Sequence, residues 1–156
     1  MNIFKTNARS GLIFAALLTA LIILWGCTGV GVKHIYDPGI SFSGLNSYAW
    51  ATTSDRGRQE SLIVTNVKFF ADQVLQQKGY KKTSEKPDLL ISVDDEYALS
   101  TYNDGYLLQR LTLNIYRRES NELIWRGTAP GDISTDAASN DLRNAVSDIL
   151  AKFPPK

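Results

Sequence analysis

The sequence has little of the side chains from which most catalytic and metal centres are built. Its 156 residues include one cysteine and one histidine. A structural zinc site needs several Cys or His ligands, and a Ser–His or Cys–His pair needs its base within hydrogen-bond reach. A lone cysteine also excludes an internal disulfide framework. Charge of one sign is not in excess, because 17 basic and 16 acidic residues give a net charge of +1. That balance excludes the broad basic surface of a nucleic-acid-binding domain, so no nucleic-acid partner is expected. No Gly-x-Ser-x-Gly elbow occurs, and Gly29-x-Gly31 lacks the rest of a dinucleotide fingerprint. The sequence therefore predicts no cofactor and no metal. It also has no internal repeat and no low-complexity segment.

What is present divides into a leader and a globular part. Met1 to Ser10 carries Lys5 and Arg9 and no acid; Gly11 to Leu24 is apolar except for Thr19. This order of basic, apolar and small residues is that of a secretory signal. The apolar run is shorter than the roughly 20 residues that span a ~30 Å hydrocarbon core. Its end, Leu24-Trp25-Gly26-Cys27, resembles the lipobox of bacterial lipoproteins, with Trp25 in a slot that is usually small. The resemblance implies a signal peptide over residues 1–26 and cleavage between Gly26 and Cys27. It also implies a lipidated tether over 27–31, with diacylglyceryl and a further acyl chain on Cys27. Each buried CH₂ contributes about 0.8 kcal/mol, so two or more chains hold a protein stably on a membrane. Thr28 in place of Asp favours the outer over the inner membrane. An uncleaved N-terminal anchor helix is the alternative.

The remaining residues, 32–156, hold 15 of the 17 basic residues against 16 acidic ones, a net of about −1. Hydrophobic residues make up 44% of the chain, with seven Tyr, six Phe and three Trp, enough for one core. Val32 to Tyr36 reads as a strand ended by the turn Asp37-Pro38-Gly39. Ile40 to Asn46 is a loop around Phe42, and Tyr48-Ala49-Trp50 is a short strand. Ser54 and Asp55 offer helix-start chemistry before an apolar face at Ile63, Val67, Phe70 and Val74. That helix runs from about Arg58 to Lys78 and stops at Gly79. Lys81 to Lys86 is a charged loop closed by Pro87.

Asp88 to Tyr97 is a strand, and Thr101 to Gly105 a turn. Tyr106 to Tyr116 alternates, with Leu107, Leu111, Leu113 and Ile115 on one side and Leu108, Arg110, Thr112, Asn114 and Tyr116 on the other. After a connection over Arg117 to Asn121, Glu122 to Thr128 returns as a strand, and Pro130 to Ser134 is a loop. Thr135 or Asp136 caps a last helix reaching Lys152, with a stripe at Ala138, Leu142, Ala145, Val146, Ile149 and Phe153. Phe69, Phe70, Trp50 and Trp125 are candidate core anchors. The pattern is an α+β fold: a mainly antiparallel sheet of about five strands with two amphipathic helices on one face.

Five short motifs then occur in order: Tyr48-Ala49-Trp50, Lys78-Gly79-Tyr80, Pro87-Asp88-Leu89, Leu123-Ile124-Trp125-Arg126-Gly127 and Phe153-Pro154-Pro155. In this order they resemble the bacterial lipoproteins grouped as domain of unknown function 4136. The resemblance covers nearly all of residues 32 to 155. It implies an α+β fold and an envelope location, and no chemistry.

Few residues suggest activity. His34 has no partner in sequence and reads as a strand-surface or partly buried side chain. Asp94-Asp95-Glu96 is the densest acidic cluster. On a strand Asp94 and Glu96 share one face while Asp95 takes the other, with Asp104 arriving from the next turn. Arg117-Arg118, Lys81-Lys82 and Arg126 are candidates for a basic patch, and Trp50 and Trp125 for a groove. The expectation is a lipid-anchored envelope protein facing the periplasm, a non-enzymatic binding or structural module. Its expected partners are the membrane, through lipid on Cys27, and another envelope protein or a cell-wall component. The alternatives are a carboxylate-dependent hydrolase and a carrier of a small apolar ligand.

Overall fold

The computed structural model describes residues 31–52, 61–99, 106–136 and 139–155. Cys27, Gly26, Ser54, Asp55, Asp104 and Ala138 lie outside them, as do the Thr101 to Gly105 turn and the leader.

Six strands form one sheet: β1 (Lys33–Tyr36), β2 (Ser47–Trp50), β3 (Lys81–Lys82), β4 (Leu89–Leu99), β5 (Tyr106–Arg117) and β6 (Glu122–Ile133). Their spatial order is β1-β6-β5-β4-β2-β3. Among the described residues, helices α1 (Leu62–Gln77) and α2 (Asp141–Ala151) accompany the sheet. The α+β class holds, but the sheet has six strands and is mixed. β4–β5, β5–β6 and β1–β6 pair antiparallel, whereas β2 runs parallel to both β3 and β4. The parallel pairs follow from connectivity, because the chain leaves β2 through α1 and re-enters the sheet in the same direction. The expected loop at Lys81 to Lys86 is thus partly strand. Its two exposed lysines form an edge that discourages further strand pairing.

Both helix ends of α1 have local causes. Ser61 is the N-cap, its hydroxyl accepting from Val64 N at 3.2 Å. At the other end Gly79 adopts φ +90°, Gly79 N donates to Gln76 O and Tyr80 N donates to Leu75 O. This doubled bond is a Schellman stop, and it accounts for the Lys-Gly-Tyr motif. Val67, Ala71 and Leu75 are fully buried, flanked by the partly buried Ile63, Phe70 and Val74. Phe69 is 56% exposed and is no core anchor; its ring lies edge-on to that of Phe70, with centroids 5.6 Å apart. α2 begins at Asp141, later than Thr135 or Asp136 predicts, after Asn140, which makes no side-chain cap bond. Asp141 in its first turn suits the positive end of the helix dipole.

The core lies between the helices and one face of the sheet. Phe153 is at its centre, edge-on to Trp125 at 5.2 Å and to Phe42 at 5.7 Å, and tilted against Tyr80 at 5.5 Å. Leu111, Leu113 and Ile115 face this core as alternation requires, yet Leu108 is also fully buried. Gln109 is the extra residue of a bulge, since Glu96 pairs with Arg110 while Tyr97 pairs with Leu108. The slip turns Leu108 toward the core face. It also carries β6 past its expected end, so that Pro130 to Ile133 are strand rather than loop. Pro130 sits where the β5–β6 register shifts, a place in a sheet where a residue without an N–H fits.

Candidate functional site

Residues that alternate with the core positions of β4, β5 and β6 form the other face of the sheet, away from the helices. The register sets them in rows across the strands. One row is Ser92, Asn114 and Arg126; the next is Asp94, Thr112, Thr128 and, on β1, Lys33; a third holds Glu96 and Arg110. All of these but Ser92 and Asn114 line, together with Asp95, an open depression of about 440 Å³.

Asn114 organises this face. It is only 1% exposed. Its amide nitrogen donates to Asp94 Oδ2 at 2.7 Å and to Ser92 Oγ at 3.3 Å, and its carbonyl oxygen accepts from Arg126 Nε at 2.6 Å. The amide thus holds an acid on β4 and a guanidinium on β6 at fixed places, and its burial is offset by satisfied bonds. Arg126 spends one donor this way and keeps the two terminal nitrogens of its fork. Neither they nor the Lys33 ammonium has a polar partner among the described residues. Thr112 and Thr128 place their hydroxyls 3.1 Å apart between the charged ends. Glu96 and Arg110 meet at 2.7 Å, each 57% exposed, an exposed pair whose contribution is under about 1 kcal/mol.

The acidic cluster divides as alternation predicts. Asp94 and Glu96 face the depression, whereas Asp95 accepts from the Tyr97 hydroxyl at 2.6 Å. Burial, reinforced by that carboxylate, pushes the Tyr97 phenol well above its ordinary range. Among the described residues no group of carboxylates, His and Cys converges as a metal site would. His34 is exposed on β1, stacked on Tyr36 with centroids 6.1 Å apart. The basic candidates are dispersed: Lys82 pairs with Asp72, Arg117 donates to Ser41 O, and Arg126 belongs to the depression. Trp125 is core, fully buried.

Two hubs explain motifs that carry no chemistry. Asp72 on α1 accepts from Tyr48 Oη at 2.7 Å, Trp50 Nε1 at 3.0 Å and Lys82 Nζ at 2.8 Å. Tyr48 and Trp50 are two apart on β2, so both present a polar tip to the same carboxylate. Burial, then Asp72, pushes the Tyr48 phenol well above its usual value. Asp88 takes the Ser47 hydroxyl at 2.6 Å and the Asn46 and Ser47 N–H groups at 2.9 Å. These donors, the hydroxyl foremost, hold its carboxyl below its ordinary 3.8. Sequence reading missed Asp72 and Asn114. The available signals were an aromatic pair with polar handles on one strand, and an Asn in the middle of a strand that disfavours it.

Fold and face together describe a small α+β domain with helices on one side of a mixed sheet and a polar open side. The chain belongs to the family described as Domain of unknown function (DUF4136), whose model matches residues 32–155. Solved structures that match above a TM-score of 0.5 share the fold. A PDZ domain protein from Parabacteroides distasonis matches at TM-score 0.56 and 17% identity over 80% of this chain, which spans only 35% of that one. A DUF4136 family protein from Bacteroides thetaiotaomicron matches at TM-score 0.53 and 14% identity, covering 78% of this chain and 92% of that one. A minor lipoprotein from Acinetobacter baumannii gives TM-score 0.39 and 14% identity, over 69% and 88% of the two chains. Among proteins with curated descriptions, none matches.

Proposed function

We propose that this chain is a lipid-anchored envelope protein of a Gram-negative bacterium and a non-enzymatic binding module. Residues 1–26 are its signal peptide, Cys27 carries the lipid, and the domain faces the periplasm from the outer membrane. The observation that carries the binding reading is the sheet face that no described element covers. Asn114 holds Asp94 and Arg126 apart on it, each with hydrogen-bonding capacity to spare. Such a face is preorganised for recognition, since its charged ends are placed before any ligand arrives. A hydrolytic role is less well supported: Asp94 is bound to Asn114, Glu96 to Arg110, and Asp95 to Tyr97 on the other side. Lys33, the first residue of β1, lies six positions after Cys27. At roughly 3.4 Å per extended residue the tether spans about 20 Å, which keeps the domain close to its membrane.

The test is intact mass and membrane partitioning of the full chain and Cys27→Ser, expressed in a Gram-negative host. The expected result is a wild type that has lost residues 1–26 and gained diacylglyceryl and acyl mass, and a variant with neither change. An unprocessed wild type that stays in the membrane together with the variant would replace the lipid anchor by an N-terminal helix.

A further inference from the structure

We infer that the open face of the sheet binds a short peptide-like zwitterion, its carboxylate held by Lys33 and Arg126 and its ammonium by Asp94. The inference rests on the binding-module reading above and specifies what that module takes.

The argument begins with register. Asp94, Thr112, Thr128 and Lys33 are successive cross-strand neighbours on β4, β5, β6 and β1. Strands are about 4.8 Å apart, so the two ends of this row lie roughly 14 Å apart at the backbone. Lysine and arginine side chains are long enough to lean inward over the two threonines. The gap this leaves between Lys33 and Asp94 is about 10 Å, the length of an extended tripeptide at roughly 3.4 Å per residue; Arg126 reaches in from the neighbouring row, its Nε on the same Asn114 that holds Asp94, and meets the carboxylate end from the side. The charges are sorted rather than mixed: the acid is on β4, and the two unpaired cations are on β6 and β1.

The groups offered match the ligand. The terminal nitrogens of Arg126 form the fork that takes a carboxylate with two parallel bonds, and Lys33 adds a point charge beside it. Asp94 has one oxygen on Asn114 and the other open to accept an ammonium. Between them the Thr112 and Thr128 hydroxyls can donate to and accept from the peptide groups of a bound chain. The same arrangement selects against other charged ligands. A polyanion long enough to cover the row would meet Asp94, and a polyamine would meet Lys33 and Arg126; each contact between like charges is unfavourable.

The measurement is a titration of the full-length protein in detergent micelles, followed by isothermal calorimetry and amide chemical shifts. The probes are trialanine, N-acetyl-trialanine, trialanine amide and the doubly blocked N-acetyl-trialanine amide. Trialanine is expected to bind best, each single block to weaken binding about tenfold, and the double block to abolish it. Arg126→Gln and Lys33→Gln, the latter on an exposed strand, should lose the preference for a free carboxylate while keeping that for a free amine. Asp94→Asn should do the reverse. Should Arg126→Gln fail to fold, Lys33→Gln carries the test of the carboxylate end. Equal binding of all four peptides, no binding of trialanine, or a uniform loss in all variants would overturn the assignment. Failure here is distinct from failure of the anchor, which the mass and partitioning of Cys27→Ser report independently.

Discussion

The two faces of the sheet are made by the same strands and obey different rules. On β4, β5 and β6 the residues turned toward the helices include Ile91, Leu113 and Trp125, all fully buried. An odd number of positions away on the same strands stand Asp94, Asn114 and Arg126, joined by hydrogen bonds of 2.6 and 2.7 Å. The first set is held by volume and the second by direction. Burial against the helices is stabilising in proportion to apolar area and sensitive to shape. The open face gains little net stability from its polar bonds, but it holds unlike charges at fixed separation. Substitution on the core face should therefore be felt as stability, and on the open face as recognition.

The largest effect belongs to the core face. Trp125→Ala is expected to destabilise by about 3–5 kcal/mol, the usual cost of deleting a buried large aromatic. It removes the ring that meets Phe153 at 5.2 Å. Trp125→Phe should cost much less, because it keeps a ring and removes a buried indole N–H that has no hydrogen-bond partner. Urea denaturation read by circular dichroism separates the two. A smaller cost for Ala than for Phe would mean that the ring is not the anchor.

Asp72→Ala ranks next, at about 2–3 kcal/mol, since it strips partners from the Tyr48 hydroxyl and the Trp50 N–H. The Lys82 pair alone is half exposed and contributes little. Lys82→Ala should therefore leave stability nearly unchanged, and the contrast between the two variants assigns the effect to the buried donors.

Gly127→Ala follows, at about 1–3 kcal/mol from overpacking. A Cβ there would run into the Trp125 ring and lie 2.7 Å from Ile149 Cγ2. The Trp-Arg-Gly motif thus has one residue for each demand: a ring for the core, a cation for the open face, and a hydrogen where ring and helix press on the strand. A thermal midpoint equal to that of the wild type would show that α2 can move away.

Alternation made much of this legible. The inward Leu111, Leu113 and Ile115 of β5, the Asp94 and Glu96 pairing, the buried stripe of α2 from Leu142 to Ile149 and the stop at Gly79 are readable from residue spacing, whereas Leu107 yields its expected inward place to Leu108. What was not readable depended on long-range register. The bulge at Gln109 turned Leu108 inward and carried Pro130 into a strand, and no local pattern announces a bulge. The edge strand Lys81–Lys82 exists only because β2 is there to pair with it. Phe69 is exposed despite its hydrophobicity because helical phase places it about 200° from Val67 at 100° per residue. The open face was half legible. Its acids stood out as a cluster, but Asn114, Lys33 and Arg126 come together only once β4, β5, β6 and β1 are aligned.

Ser47→Ala tests a hub at the β2 start and has a pH signature. The folded carboxyl of Asp88 titrates below its ordinary 3.8, chiefly through the Ser47 hydroxyl. A depressed folded value stabilises the domain above about pH 4, and the contribution is lost as pH falls through the folded value. The variant should be about 1 kcal/mol less stable at neutral pH. The gap should narrow below pH 4 without closing, because the Ser47 oxygen also accepts from Asp88 N at 3.0 Å. A gap constant from neutral to acid pH would remove Asp88 from the account.

The smallest expected effect is the most informative about the comparison. Lys33 is exposed on an edge strand and has no polar partner among the described residues. Replacing it with Gln should change stability by less than about 0.5 kcal/mol, the usual range for such surface sites. Yet Lys33 closes the cationic end of the row that begins at Asp94, so the same change should remove much of the preference for a free carboxylate. Stability and recognition would then separate at one residue. If Lys33→Gln instead lowers stability by more than about 1 kcal/mol, this cation supports the sheet rather than a ligand. In that case the two faces would differ in polarity but not in purpose.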